Sequence, residues 1–275
     1  MSPDLPFDII ALVIDIIGAN EDADLLKELA LVSHSFFQIC SKHLFATIEL
    51  RDLPGYHIAS PKKGFAKLLK SRPDVVRYIR KLTYKVSRPA YIFQDDDHLL
   101  SSILLHLLPS FSRLNCLAIS ASSLDWNTLD TSLTSALIHL MHLPTINHID
   151  LSYIQNFPLF SLTLSVNLHR LDICRLTLHN PLKEDFPEIL VGMMPKIREF
   201  HASVSSQLTR KLLHAKRQDG QPAFNFMDLR QFTTELHQIE SDDERDIQYL
   251  LQNAKLLESF DLFVGDGRSI PVHAI

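Results

Sequence analysis

Glycine is scarce in this chain, 7 of 275 residues, against a usual share of about 7%. That leaves little material for the glycine-rich loops whose backbone amides close around a phosphate. Cysteine is scarcer still. Cys40, Cys116 and Cys174 are an odd number at wide separations, which fits neither a disulfide framework nor a zinc site, so they read as reduced thiols of a cytoplasmic or nuclear protein. The absence of any Asn-x-Ser/Thr sequon agrees with that compartment. Basic runs stop at pairs such as Lys62-Lys63 and Arg80-Lys81, and 27 basic against 32 acidic residues leave a formal net charge of -5. No nucleic-acid partner is expected from that balance. The longest apolar stretch, residues 9–17, is interrupted by Asp15 and falls short of the ~20 residues of a membrane span. The opening MSPDLPFD is acidic where an export signal is basic, so neither membrane nor export is expected. The local signatures of catalysis are missing as well: there is no His-Glu-x-x-His, Gly-x-Ser-x-Gly, P-loop or Cys-x-x-Cys. An enzyme, a cofactor and a metal are therefore not expected.

What is present is apolar: 46% of the residues are hydrophobic, enough to bury a sizeable core and to exclude disorder. Pro6 suits a first helical turn and Asp8 complements a helix N-terminus, which predicts a helix over residues 6–17. Ile9, Ile10, Leu12, Val13, Ile14, Ile16 and Ile17 cover more of that helix than one amphipathic stripe requires. Part of its surface must meet a second partner. After a polar turn over 20–24, Leu25, Leu26, Leu29 and Val32, then Phe36, Phe37, Cys40 and Leu44, recur at helical spacing. Three short helices enclose a very small core, so they pack on the rest of the chain or dock on another protein.

The order Leu-Pro-x-acidic-apolar-apolar, an apolar helix, then Leu-Ala-Leu-Val-Ser-x-x-Phe resembles the F-box, and HLFATIEL resembles the ending common in fungal F-box proteins. In that family the Leu-Pro, the apolar face of the first helix and a Val-Cys-x-x-Trp stretch grip the Skp-type adaptor of a cullin-RING ligase. By matching position the resemblance implies adaptor contacts at Leu5, Pro6, Ile9, Ile10, Val13, Ile14, Val32 and Phe36. Ser33 and Phe36 stand where the family often has Cys and Trp, keeping size class and aromatic character.

Beyond residue 61 the pattern apolar-x-x-apolar-x-small/apolar recurs seven times, centred on Leu82, Leu117, Ile149, Leu171, Phe200, Phe232 and Phe260. Steps of 22 to 35 residues between centres lie close to or above the 20 to 29 of leucine-rich repeats. The buried Asn or Cys of regular repeats is replaced, for example by Leu176 or His237, so uneven turns are expected. Helical patterns fall between strands at 64–70, 98–108, 133–142, 187–194, 206–215 and 242–251, the last with a capping box from Ser241 and Glu244. The acidic clusters 94–98 and 241–244 precede two of these helices and read as dipole-complementing ends. Trp126, the sole tryptophan, is expected to pack in a loop after the second repeat strand.

The expected architecture is an α+β, αβ-repeat fold: an N-terminal three-helix F-box over 1–50, a linker over 51–61, and an irregular leucine-rich-repeat solenoid over 62–275 with a parallel sheet on the concave side. In each strand the central apolar residue points inward and its neighbours outward. Leu171 should thus be core, while Asp172 beside it should cost little to remove. The middle strands then present His148, Asp150, Arg170, Asp172, Glu199 and His201 as candidate substrate contacts, with Arg170 flanked by carboxylates. Asp150, Asp172 and His201 are also the best arrangement for a divalent metal, although ordinary for a polar face. The resulting expectation is a substrate receptor of a Skp-cullin-F-box ubiquitin ligase, whose partners are the adaptor, through it a cullin, and a protein substrate. The alternatives are a repeat scaffold without a ligase role and an enzyme on the same frame.

Overall fold

At each of the seven repeats of the apolar-x-x-apolar-x-apolar template that follow residue 61, a strand forms. The computed structural model describes residues 6–20, 22–51, 61–86, 94–177, 194–217, 219–236, 241–265 and 268–271, with backbone alone at 94–96, 241 and 268–271. Its single nine-stranded sheet runs in chain order: β1 (Thr47–Arg51), β2 (Lys81–Val86), β3 (Cys116–Asp125), β4 (His148–Gln155), β5 (Arg170–Cys174), β6 (Glu199–Ser203), β7 (Gln231–Leu236), β8 (Ser259–Val264) and β9 (Arg268–Pro271). The first eight are parallel, and β9 returns antiparallel along β8. Leu82, Leu117, Ile149, Leu171, Phe200, Phe232 and Phe260 are partners in one unbroken register. All of them are buried. Because parallel in-register strands bring equivalent positions about 4.8 Å apart, the interior column becomes an aromatic stack at its end: Phe200, Phe232 and Phe260 follow with ring centroids 5.7 and 5.3 Å apart.

The edge strand β1 is an addition to the expected set. Residues 47–51, which the sequence attaches to the N-terminal helices, pair with β2 through Ile48 and Leu82. The same template was present as Phe45-x-x-Ile48-x-Leu50.

Helices between strands cover one face of the sheet: α4 (Pro61–Ser71), α5 (Gln94–Leu107), α6 (Thr131–Met141), the four-residue α7 (Phe160–Thr163), α8 (Ser206–His214) and α9 (Ser241–Asn253). Their Phe65, Leu69, Leu100, Leu104, Leu133, Leu137, Leu162, Leu208 and Leu212 close one continuous core with the inward strand residues. The expected helix over 187–194 falls almost wholly outside the described residues, as does the capping position of α9, which already includes Ser241. Trp126 is buried in a short turn after β3, edge-on to Phe157 with centroids 4.9 Å apart.

Turns are uneven, with a register shift between Ser120 and Leu124 on β3, but two of them share one geometry. Arg175 and Val204 each directly follow a strand and take left-handed φ of 49°. Their amides donate to Ser203 and Glu235 carbonyls on the next strand, both at 2.8 Å. The backbone itself thus makes the strand-to-strand link at the exit turn, at the cost of an unfavourable conformation for β-branched Val204.

In the acidic run, which forms the first turn of α5, Asp97 has a role that its position did not reveal. Asp97 is buried and accepts from Lys62 Nζ at 2.8 Å and Tyr84 Oη at 3.0 Å, while Lys62 Nζ also donates to Tyr84 Oη at 2.7 Å. An ion pair thus ties α4, α5 and β2 together inside the protein. In α9, Asp246 is likewise buried, held by Arg210 at 2.8 Å and His214 at 2.9 Å from α8.

The N-terminal helices α1 (Phe7–Ala19), α2 (Ala23–Ala30) and α3 (His34–Leu44) enclose a separate small cluster of Ile14, Leu26, Ile39 and Cys40. Asp15 of α1 binds both Lys42 and His43 of α3, at 2.6 and 2.8 Å. The His43 ring lies so close to Gly18 that a Cβ there would collide with it, so glycine is what permits the crossing of α1 and α3. Phe37 receives the Arg72 guanidinium 5.2 Å from its ring centre, joining this cluster to the segment after α4. Among the described residues no helix is long and apolar enough to cross a membrane.

Candidate functional site

Two surfaces remain once the core is closed: the sheet face away from the helices and the outer side of the N-terminal helices. Strand alternation puts three rows of side chains on the open sheet face. The first runs Lys81, Cys116, His148, Arg170, Glu199, Gln231 and Ser259; the second Thr83, Ala118, Asp150, Asp172, His201, Thr233 and Asp261. All six residues expected on the middle strands are there, half-buried.

Five of the six are engaged with one another, His201 through its Nε2 at 3.9 Å from Asp172. Arg170 donates from Nε to Asp172 at 3.1 and 3.2 Å and from Nη1 to Glu199 at 3.3 Å. His148 Nε2 lies 2.9 Å from Asp172 and its Nδ1 3.3 Å from Cys116 Sγ. Burial alone would lower the His148 pKa, but Asp172, helped by Cys116, raises it to about 9. The ring therefore carries both protons at neutral pH. Burial would likewise raise Asp172, yet His148 and Arg170 hold its carboxyl below the ordinary value.

Arg170 is thus committed to its neighbours, and Asp172 is the hub of a brace across β4, β5 and β6. The sequence could place these residues side by side but not show that they satisfy each other. Cys116, His148 and Asp172 follow in the order thiol, imidazole, carboxylate. The thiol residue is only 6% exposed, and the Cys116 and His148 amides are spent on the Arg80 and Asn115 carbonyls, each at 3.0 Å. Among the described residues no group of three or more His, Cys, Asp or Glu is placed to hold a metal ion. In the trio Asp150, Asp172 and His201 the oxygens of Asp172 already serve His148 and Arg170.

Asp150 and His201, the latter with its Nε2 3.9 Å from Asp172, line a depression of about 440 Å3. Asp172 and Thr233 of the second row line it too, and much of its wall comes from the third row, which sequence reasoning passed over: Cys174, Ser203, Glu235 and Phe263. The alternation rule carried two positions further along each strand would have found them. Asp150 accepts from Ser152 at 3.1 Å, and burial pushes its carboxyl above the ordinary value.

The brace should show in the pH dependence of stability. His148 has its folded pKa raised to about 9 from 6.5, so its contribution is complete below about 6.5 and is lost as pH rises through about 9. Asp172, with a lowered folded value, contributes above 3.8 and loses that contribution as pH falls through its folded pKa. Urea midpoints at pH 6, 8 and 10 should fall in the parent and fall less in His148→Gln. Parallel curves for the two proteins would rule out the brace.

On the second surface, Ile9, Leu12, Val13 and Ile16 are exposed along α1, joined by Leu25, Leu31 and Val32. With 100° per residue, the arc of large apolar residues on α1 spans about 200°, and of these the core takes Ile10, Ile14 and Ile17, with Ala11 beside them. Of the expected adaptor contacts, Ile9, Val13 and Val32 are exposed; Pro6 is exposed as well. Ile14 is buried and Ile10 and Phe36 are half-buried against it, so these three face the inside of the cluster. Leu5 lies outside the described residues. Leu12, Ile16 and Leu31 were missed, because a helix that is apolar all round does not reveal which side its neighbours cover.

No family model matches the chain, and none of the curated proteins or solved structures compared with it matches either.

Proposed function

We propose that this chain is the substrate-receptor subunit of a Skp-cullin-F-box type ubiquitin ligase, with an F-box at residues 1–50 and degenerate leucine-rich repeats over 62–275. The observation that carries the reading is the exposed apolar surface of the N-terminal helices. Leu31 is 87% and Val32 65% exposed, beside Ile9, Leu12, Val13 and Ile16 on α1. A solvated cap on the sheet would need polar residues there, and a contiguous apolar patch favours a protein partner. The F-box resemblance, LPFD followed by LALVSHSF, supplies its identity as a Skp-type adaptor. The sheet, one strand per unit in chain order, supplies a rigid display for a substrate. The adaptor recruits the cullin, and the chain itself carries no catalytic step.

The test is recovery of adaptor and cullin from native cell extract. Ile9→Asp with Val13→Asp should abolish co-purification while leaving the circular dichroism spectrum unchanged, since neither side chain belongs to the small core. Undiminished recovery with the double variant would leave the scaffold reading, partner binding without a ligase, in its place.

A further inference from the structure

The depression on the open sheet face is lined by three carboxylates, of which only Asp172, shared with the brace, meets cationic side chains among the described residues. Asp172 and Glu199 each meet Arg170. Asp150 and Glu235 have no ion-pair partner among the described residues; each is met by a serine hydroxyl, Ser152 at 3.1 Å and Ser203 at 2.6 Å. Both carboxylates line the same depression, one on β4 and one on β7, with the Phe263 ring at the β8 end. The serine hydroxyls fix the orientation of each carboxylate and leave further lone pairs for a donor. The Phe263 ring offers apolar and π surface for the stem or head of a long cationic side chain.

We propose that this depression binds a basic protein segment in extended conformation, one cationic side chain pairing with Asp150 and a second with Glu235. The proposal rests on the open sheet face being the recognition surface of the receptor. Three strand spacings, about 14 Å at about 4.8 Å each, and an offset of two residues along the strand, about 7 Å, separate Asp150 from Glu235, about 16 Å in all. An extended chain lying obliquely across the strands covers about 14 Å in four residues at about 3.4 Å each, residues i and i+4 project on the same side, and long cationic side chains span the remaining distance. The ligand class is therefore a segment with Arg or Lys at i and i+4. Arginine is favoured because its planar fork meets a carboxylate with two parallel donors.

The experiment uses the full chain, co-purified with its adaptor, and a fluorescein-labelled heptapeptide of alanines with arginines at positions 2 and 6. Fluorescence anisotropy should show binding about tenfold tighter than for the same peptide with arginines at positions 2 and 3, and none for the citrulline version. Asp150→Asn and Glu235→Gln, which keep size and hydroxyl partners, should each weaken binding by about tenfold, as loss of a charge-assisted bond does. Glu49→Gln, the same charge change on the far strand β1, should leave it unchanged.

Equal binding of both arginine spacings, equal loss with Glu49→Gln, or spermidine binding as tightly as the peptide would overturn the proposal. Adaptor recovery from the same preparations separates the two readings. Peptide binding lost with adaptor retained removes only the basic segment; peptide retained with adaptor lost removes only the ligase.

Discussion

Replacing Asp97 by alanine is expected to destabilise the protein by about 3 to 5 kcal/mol, the range found when one partner of a buried ion pair is removed. Lys62 is 1% exposed, and its ammonium has Asp97 as its charged partner at 2.8 Å. Without that carboxylate the buried ammonium loses a charged acceptor and keeps the Tyr84 hydroxyl at 2.7 Å, with the Tyr84 ring centre at 4.5 Å. Desolvation of a charge costs several kcal/mol, far more than one neutral hydrogen bond returns. The pair Lys62→Met with Asp97→Leu should recover most of the loss, since apolar replacement of both partners removes the buried charge. Urea unfolding checks both. An Asp97→Ala variant within about 1 kcal/mol of the parent would mean that Lys62 finds water instead.

The second large effect is at Leu171, where truncation to alanine should cost about 2 to 5 kcal/mol. Leu171 is fully buried and stacked between Ile149 and Phe200 in the inward column, so collapse around a cavity would disturb both neighbouring strands. The adjacent Asp172→Ala, expected from its outward position to be nearly silent, should instead cost about 1 to 3 kcal/mol. It removes the acceptor shared by Arg170 and His148, leaving Arg170 with Glu199 alone and the half-buried His148 Nε2 without its carboxylate. Thermal unfolding of the two variants should therefore give a large loss and an intermediate one. A loss at Asp172 no greater than at an exposed strand residue such as Gln231 would show that the brace adds nothing to stability.

Much of the sheet could be read before any coordinates. Each strand of the repeated series is set by a local template in which positions i, i+3 and i+5 are apolar, and period-two alternation then assigns each neighbour to a face. The register that joins Lys81 to Ser259 through five intervening strands follows from aligning those templates. β1 escaped because its three template residues overlap the ending of the F-box-like segment. α7 escaped because four residues are too few to show a helical period.

The candidate sites were less legible, and the reason differs between them. On α1 both sides are apolar, so the sequence shows a surplus of hydrophobic surface without saying that Ile14 turns inward while Leu12 and Ile16 turn out. On the sheet face the residue types were right, but their free valences were not visible. Arg170 looked available and is taken; Glu235 looked unremarkable and has only a serine as its described side-chain partner.

By itself the sequence determined the strand series, the facing of each strand residue and the surplus of apolar surface at the N-terminus, because these depend on spacing along a few neighbouring residues. Tertiary structure alone decided which charges neutralise one another. Asp97 meets a lysine 35 residues away and Asp172 a histidine 24 residues away, and such pairings are set by the packing of separate elements, where ångström distances and burial fix the strength of each interaction.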